Sequence, residues 1–151
     1  MKYVHTNIIS DDVEKLADFY IKVFNCEKNW KDIKLIWKWL EEWTWVQNAN
    51  IKWIFLKLPW YEQGWPMLEI FQYDEMLEKE KPIIANRKWF GHIAFQVDDI
   101  EKVLENAVQH GWTELWKIVS KEYKTGVLTF VYIRDPEWNI IELQKWENIK
   151  L

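Results

Sequence analysis

Apolar and polar residues alternate with a period of two over residues 3–9, then switch to helical spacing, with Val13, Leu16, Ala17, Tyr20, Val23 and Phe24 on one face. The first pattern predicts a strand with one covered face and the second an amphipathic helix. Between them Asp11-Asp-Val-Glu14 supplies a capping side chain with a carboxylate following, a helix start. Strand-like runs follow at 51–58 and 67–73, with a fainter one at 26–30 and a short inserted helix over 37–45. The polar stretch 74–81, ended by Pro82, breaks the pattern and reads as a connection. A strand is then predicted over 90–97, Asp98-Asp-Ile-Glu101 repeats the cap, and the second helix stops at His110-Gly111, where glycine accepts a left-handed backbone. Strands near 114–124, 127–134 and 139–146 complete the chain, the last two joined by a turn at Asp135-Pro-Glu-Trp138. Each half is therefore expected to be β-α-β-β-β: residues 1–73 a first module, 74–89 a linker and 90–151 a second module. The fold class is α+β.

The repetition extends to the residues themselves. His5-Thr-Asn-Ile-Ile-Ser-Asp-Asp-Val-Glu-Lys-Leu16 recurs as His92-Ile-Ala-Phe-Gln-Val-Asp-Asp-Ile-Glu-Lys-Val103, an internal duplication. Each half also carries one carboxylate inside a late apolar run, Glu69 in Met67-Leu-Glu-Ile-Phe71 and Glu142 in Ile140-Ile-Glu-Leu-Gln144. Strand alternation sets His5, Asn7, Glu69, His92, Gln96, Glu142 and Gln144 opposite apolar faces that would pack under the helices. Such a face is too polar for a dry core and is expected to line a cleft. A carboxylate without a partner in a concave site is costly, and metal coordination neutralises it. Imidazole and carboxylate together form a ligand set for a divalent first-row metal.

Length and charge narrow the alternatives. With 151 residues, 49% of them hydrophobic, the chain can bury a good core but not two large independent domains. No run approaches the roughly 18 apolar residues of a membrane span. The net charge of −4 provides no basic footprint for nucleic acid. Cys26 is the single cysteine and has no activating base near it in sequence, in keeping with a reducing compartment. A soluble cytoplasmic protein without nucleic-acid or membrane partners is expected. His110, at a helix end, suits the dipole there and is assigned to the surface.

His5-Thr6, Leu68-Glu69, Gly91-His92-Ile-Ala94 and Arg134-Asp-Pro-Glu-Trp-Asn-Ile-Ile-Glu142 give the whole chain a pattern that resembles the vicinal oxygen chelate superfamily, which includes glyoxalase I, extradiol dioxygenases and bleomycin-resistance proteins. The resemblance implies paired β-α-β-β-β modules forming an open half-barrel cleft around one divalent ion, with His5, Glu69, His92 and Glu142 as ligands. Nickel, cobalt, zinc, manganese and iron all suit these donors. Glu142 is the implied catalytic base and Glu69 the carboxylate on the opposite module, with Asn7, Gln96 and Gln144 as candidate substrate contacts. Two glutamates look most like glyoxalase I, a lyase or isomerase acting by proton abstraction beside a metal-bound oxygen of a small oxo or thioester substrate. Small bacterial glyoxalase I enzymes hold glutathione with an arginine and an asparagine where this chain has Ile9 and Tyr73, so the substrate stays unassigned. A metal-independent drug-binding protein and an extradiol dioxygenase are the alternatives. A homodimer is implied, with the site either within one chain or shared across two.

Tryptophan is unusually abundant, 13 residues against 4 glycines. Several stand where turn chemistry asks for glycine: Trp60 after Pro59, Trp65 after Gly64, Trp112 after Gly111 and Trp138 in the last turn, with Trp53, Trp89 and Trp116 grouped with them. One reading is an aromatic-rich cleft. The preferred reading is a gene from an organism that decodes one codon as glycine where this sequence carries tryptophan. Trp146, within the last strand, reads as authentic.

Overall fold

A computed structural model of the chain describes residues 1–29, 33–35, 38–62, 66–77, 84–86, 90–112 and 117–148. The chain divides into two compact units, Met1–Lys79 and Glu80–Leu151. That division falls inside the expected linker at 74–89.

The first unit runs β1 (His5–Ile9), α1 (Val13–Phe24), β2 (Glu27–Lys28), β3 (Ile33–Leu35), α2 (Lys38–Thr44), β4 (Ile51–Lys57) and β5 (Met67–Tyr73). Its sheet has the order β1-β5-β4-β2, with β3 also pairing β4. Asp12 caps α1 by accepting the backbone N–H groups of Glu14 and Lys15 at 3.1 and 3.0 Å, satisfying donors that the first turn leaves free. All six apolar-face residues expected from the spacing are buried, and Phe19 joins them. Each large side chain so removed from water contributes about 1.5–3 kcal/mol. The helix packs across β4 and β5. It covers the face bearing Ile54, Leu56, Leu68 and Ile70, all buried, where the Gln72 side-chain carbonyl accepts the Val13 N–H. The opposite face is less polar than the alternation suggested: Leu40 of α2 packs with Ala49, Ile51 and Phe71, and Trp53 and Tyr73 lie against that cluster.

The second unit runs β6 (Ile93–Gln96), α3 (Ile100–Gln109), β7 (Val119–Tyr123), β8 (Gly126–Arg134) and β9 (Ile140–Asn148), in the sheet order β6-β9-β8-β7. Asp99 caps α3 through the Lys102 N–H at 3.0 Å, and Gly111, at φ 93°, ends it. The helix buries Ile100, Leu104 and Ala107 and packs against β9. Both units are open sheets, so the α+β expectation holds.

The differences are local. β3 is absent from the sequence reading, because three residues are too few to establish a period. β6 begins at Ile93, so His92 stands just before the strand rather than within it. Positions 30, 37 and 114–116 of the predicted elements lie outside the described residues. Among those described, no helix is long and apolar enough to cross a membrane.

Asp12→Ala and Asp99→Ala should each lower unfolding free energy by about 1 kcal/mol, the usual worth of a cap. Gly126→Ala should cost more, since a Cβ there would stand 2.4 Å from the Glu147 carbonyl oxygen on the paired strand. Denaturant midpoints of the three variants check the ranking, and a milder loss at Gly126 would contradict it.

Candidate functional site

The first and last strands of each unit run parallel, and their register decides which side chains meet. In the first unit Asn7 lies opposite Glu69, so His5, two residues earlier, shares the face of that carboxylate. His5 Nδ1 is 3.4 Å from Glu69 Oε1. In the second unit Ala94 lies opposite Glu142, which puts His92 at the same two-residue offset. His92 Nε2 is 3.4 Å from Glu142 Oε2. The duplication thus repeats one placement, an imidazole beside a carboxylate at the same two-residue offset, with His5 in β1 and His92 just ahead of β6 and with contact through Nδ1 in the first pair and Nε2 in the second.

The two carboxylates sit in different surroundings. Glu69 is 5% exposed, and Phe55 faces it across β4. Burial pushes its carboxyl above the usual carboxylate range, while His5 opposes that shift. Glu142 is half-buried, and its partner across β8 is Tyr132. The Tyr132 phenol donates a hydrogen bond to the Glu142 carboxylate, and its ring centroid is 5.2 Å from that of His92. Burial, then the charge of Glu142 and that hydrogen bond, raise the Tyr132 pKa.

The turn before β9 holds this arrangement in register. Asp135, buried, accepts the N–H groups of Glu137 and Asn139 at 2.9 Å each and the Asn139 side-chain amide at 2.8 Å. Arg134 Nη1 donates to the Trp138 carbonyl at 3.2 Å. Arg134 then pairs with Ile140, which fixes Tyr132 opposite Glu142. Sequence reasoning missed Tyr132. Once the length of the Asp-Pro-Glu-Trp-Asn turn sets the hairpin register, counting back from Glu142 reaches it.

The Asn7 side-chain amide donates to the Glu69 backbone carbonyl at 3.4 Å, an interstrand role. Gln96 and Gln144 are opposite one another in register, the first exposed and the second half-buried. Cys26 is buried, and burial pushes its thiol up to about 12, so it stays protonated and inert. His110 Nδ1 donates to the Asn106 carbonyl at 2.8 Å at the end of α3. An imidazole nitrogen and a carboxylate oxygen this close suit one divalent ion, and the buried Glu69 carboxylate has the charge such an ion neutralises. Two ligand residues are fewer than such an ion takes. Among the described residues no group of three His, Cys, Asp or Glu within either unit could hold a metal.

Comparison with known proteins agrees with this architecture. Residues 4–132 match the family model described as the Glyoxalase/Bleomycin resistance protein/Dioxygenase superfamily. Comparison with curated proteins yields no sequence match. Among solved structures, a glyoxalase family protein from Bacillus cereus superposes with a TM-score of 0.79 at 18% identity, over 97% of this chain and 93% of that one. A glyoxalase family protein from Enterococcus faecalis gives 0.59 at 22% identity, over 95% of each chain. A mutant of the fosfomycin resistance protein FosX from Listeria monocytogenes, complexed with Mn(II) and a dihydroxypropylphosphonic acid, gives 0.56 at 17% identity, over 95% and 86%. These structural likenesses concern the fold, whereas the family match spans most of the sequence. The chain belongs to the Glyoxalase/Bleomycin resistance protein/Dioxygenase superfamily.

Proposed function

We propose that the protein is a divalent-metal-dependent lyase or isomerase of the glyoxalase I type, with His5, Glu69, His92 and Glu142 as the ligands of one ion. The observation that carries this reading is the His–Glu pair at 3.4 Å, repeated at the same strand offset in both units. A bound divalent ion supplies Lewis acidity, stabilising negative charge on a substrate oxygen when the neighbouring carbon loses a proton. Nickel, cobalt, zinc, manganese and iron remain equal candidates.

The chain's own residues divide the remaining work. Glu142 is the proposed base, because its side chain is 17% exposed against 7% for Glu69 and so more open to a substrate proton. The Tyr132 hydrogen bond holds its carboxylate in place. Glu69, buried against Phe55, serves as the fixed ligand. The substrate is proposed as a small oxo or thioester compound. A glutathione conjugate is not assigned, since Ile9 offers no charge and Tyr73 packs against the Leu40 cluster. The cytoplasmic location expected from the sequence and the homodimer implied by the family resemblance belong to the same proposal.

Metal-free protein titrated with Mn(II), Co(II), Ni(II) or Zn(II) should bind one ion per chain. His5→Ala and His92→Ala should each weaken binding by ~10²-fold or more, the upper scale on which even outer-shell partners act. Loss of affinity in only one of the two variants would break the four-ligand proposal.

A panel of hemithioacetals, acyl-CoA epimers and catechols, offered to metal-loaded protein, tests the reaction. Turnover of one of the first two is expected, with Glu142→Gln lowering kcat by about 10²–10⁴-fold while metal is retained. Inactivity throughout would contradict the reading, and catechol cleavage would favour the dioxygenase alternative.

Glu69→Gln should raise the thermal stability of the metal-free protein while abolishing tight metal binding. The sign follows from burial. A carboxyl with a raised folded-state pKa penalises the folded state when ionised, above that pKa, and the penalty fades as pH falls through it. The gain should therefore be greatest at neutral pH and shrink on acidification, and melting curves over that range check it.

A further inference from the structure

Left-handed backbone, with φ between 55° and 93°, occurs among the described residues at Asn25, Trp45, Asn48, Trp60, Gly111 and Trp138. Glycine enters this region without strain, and asparagine tolerates it better than most residues. A bulky side chain there is a genuine outlier. Three of these positions nevertheless carry tryptophan.

Each of the three lies in a motif that requires the left-handed residue. Trp45, at φ 60°, follows the last residue of α2, and its N–H bonds to the Glu41 carbonyl at 2.8 Å. That is the end position where α1 has Asn25 and the stop after α3 has Gly111. Trp60, at φ 71°, follows Pro59 in the turn between β4 and β5. Proline followed by positive φ is the type II pattern, whose second central position belongs to glycine. Trp138, at φ 67°, donates its N–H to the Asp135 carbonyl at 2.9 Å, while the Asp135 N–H reaches the Asn139 carbonyl at 3.0 Å. A tight turn followed by a left-handed residue is the hairpin with a glycine bulge.

Burial does not offset the strain. Trp45 and Trp60 are 91% and 92% exposed, and Trp138 is 45% exposed. Strained residues persist only where their surroundings over-determine them, and two nearly free indoles have no such surroundings. Trp146 provides the contrast: its backbone is ordinary strand, and its indole N–H donates to Asn148 Oδ1 at 2.8 Å.

We infer that positions 45, 60 and 138 are glycine in the protein made by its native host, where a codon carried here as tryptophan is decoded as glycine. The structure also sorts the tryptophans that the sequence grouped together. Trp53 lies inside β4 against Phe55 and Phe71, and Trp112 is buried; neither has a left-handed backbone, so the inference excludes both. Trp65, Trp89 and Trp116 lie outside the described residues, and Trp45 joins the set. Two of the inferred glycines stand in the turns leading into β5 and β9, the strands that carry Glu69 and Glu142.

Peptide mass mapping of the protein purified from its native host tests this directly. Glycine is expected at 45, 60 and 138, with tryptophan at 146; tryptophan at any of the three overturns the inference. Recombinant protein gives an independent arm, in which Trp45→Gly, Trp60→Gly and Trp138→Gly should each raise Tm by about 2–6 °C. Trp138→Ala should gain less than Trp138→Gly, because alanine keeps the Cβ that the left-handed backbone disfavours. Equal gains, or no gain with glycine, would overturn the conformational argument.

Discussion

The parallel pairing of the first and last strand within each unit is the constraint on which the candidate site depends. Parallel neighbours cannot be joined by a tight hairpin, so two helices and three strands separate β1 from β5, and one helix and two strands separate β6 from β9. Once the register is fixed, a histidine two residues ahead of the residue opposite a glutamate must share that glutamate's face. The caps at Asp12 and Asp99 fix where the helices leave the sheets, and the buried Asp135 fixes where β9 begins. Much of the local polar chemistry therefore serves to keep two pairs of side chains in register.

The duplicated halves share that placement and differ in what encloses it. Phe55 faces Glu69 at the register position where Tyr132 faces Glu142. The hydrocarbon ring leaves Glu69 buried with the His5 imidazole as its polar neighbour, and the phenol gives Glu142 a hydrogen-bond donor in a more open setting. Under the proposed function, this single difference assigns one carboxylate to holding the ion and the other to moving a proton.

The features legible in the sequence were those set by local signals. The α1 face, the two aspartate caps, β5 to its last residue and the His–Glu duplication all follow from spacing and residue type. The missed features depend on tertiary context. β3 is a strand only because β4 offers it an edge, and Tyr132 becomes part of the site only through hairpin register. Strand alternation makes the face around Glu69 too polar for a dry core, yet Trp53, Phe55 and Phe71 crowd it, since period-two counting assigns a face without saying what packs on it. Trp45 escaped notice because the end of a seven-residue helix leaves little trace in sequence, whereas Pro59 and Pro136 mark the other two turns.

Under the proposed function, one ion draws on both pairs. X-ray absorption at the metal edge of Co(II)-loaded protein tests it most directly, because imidazole leaves a distinct multiple-scattering signature. Two imidazoles per cobalt are expected. A spectrum with one imidazole per ion would show the two histidines serving separate sites, and the account would fail.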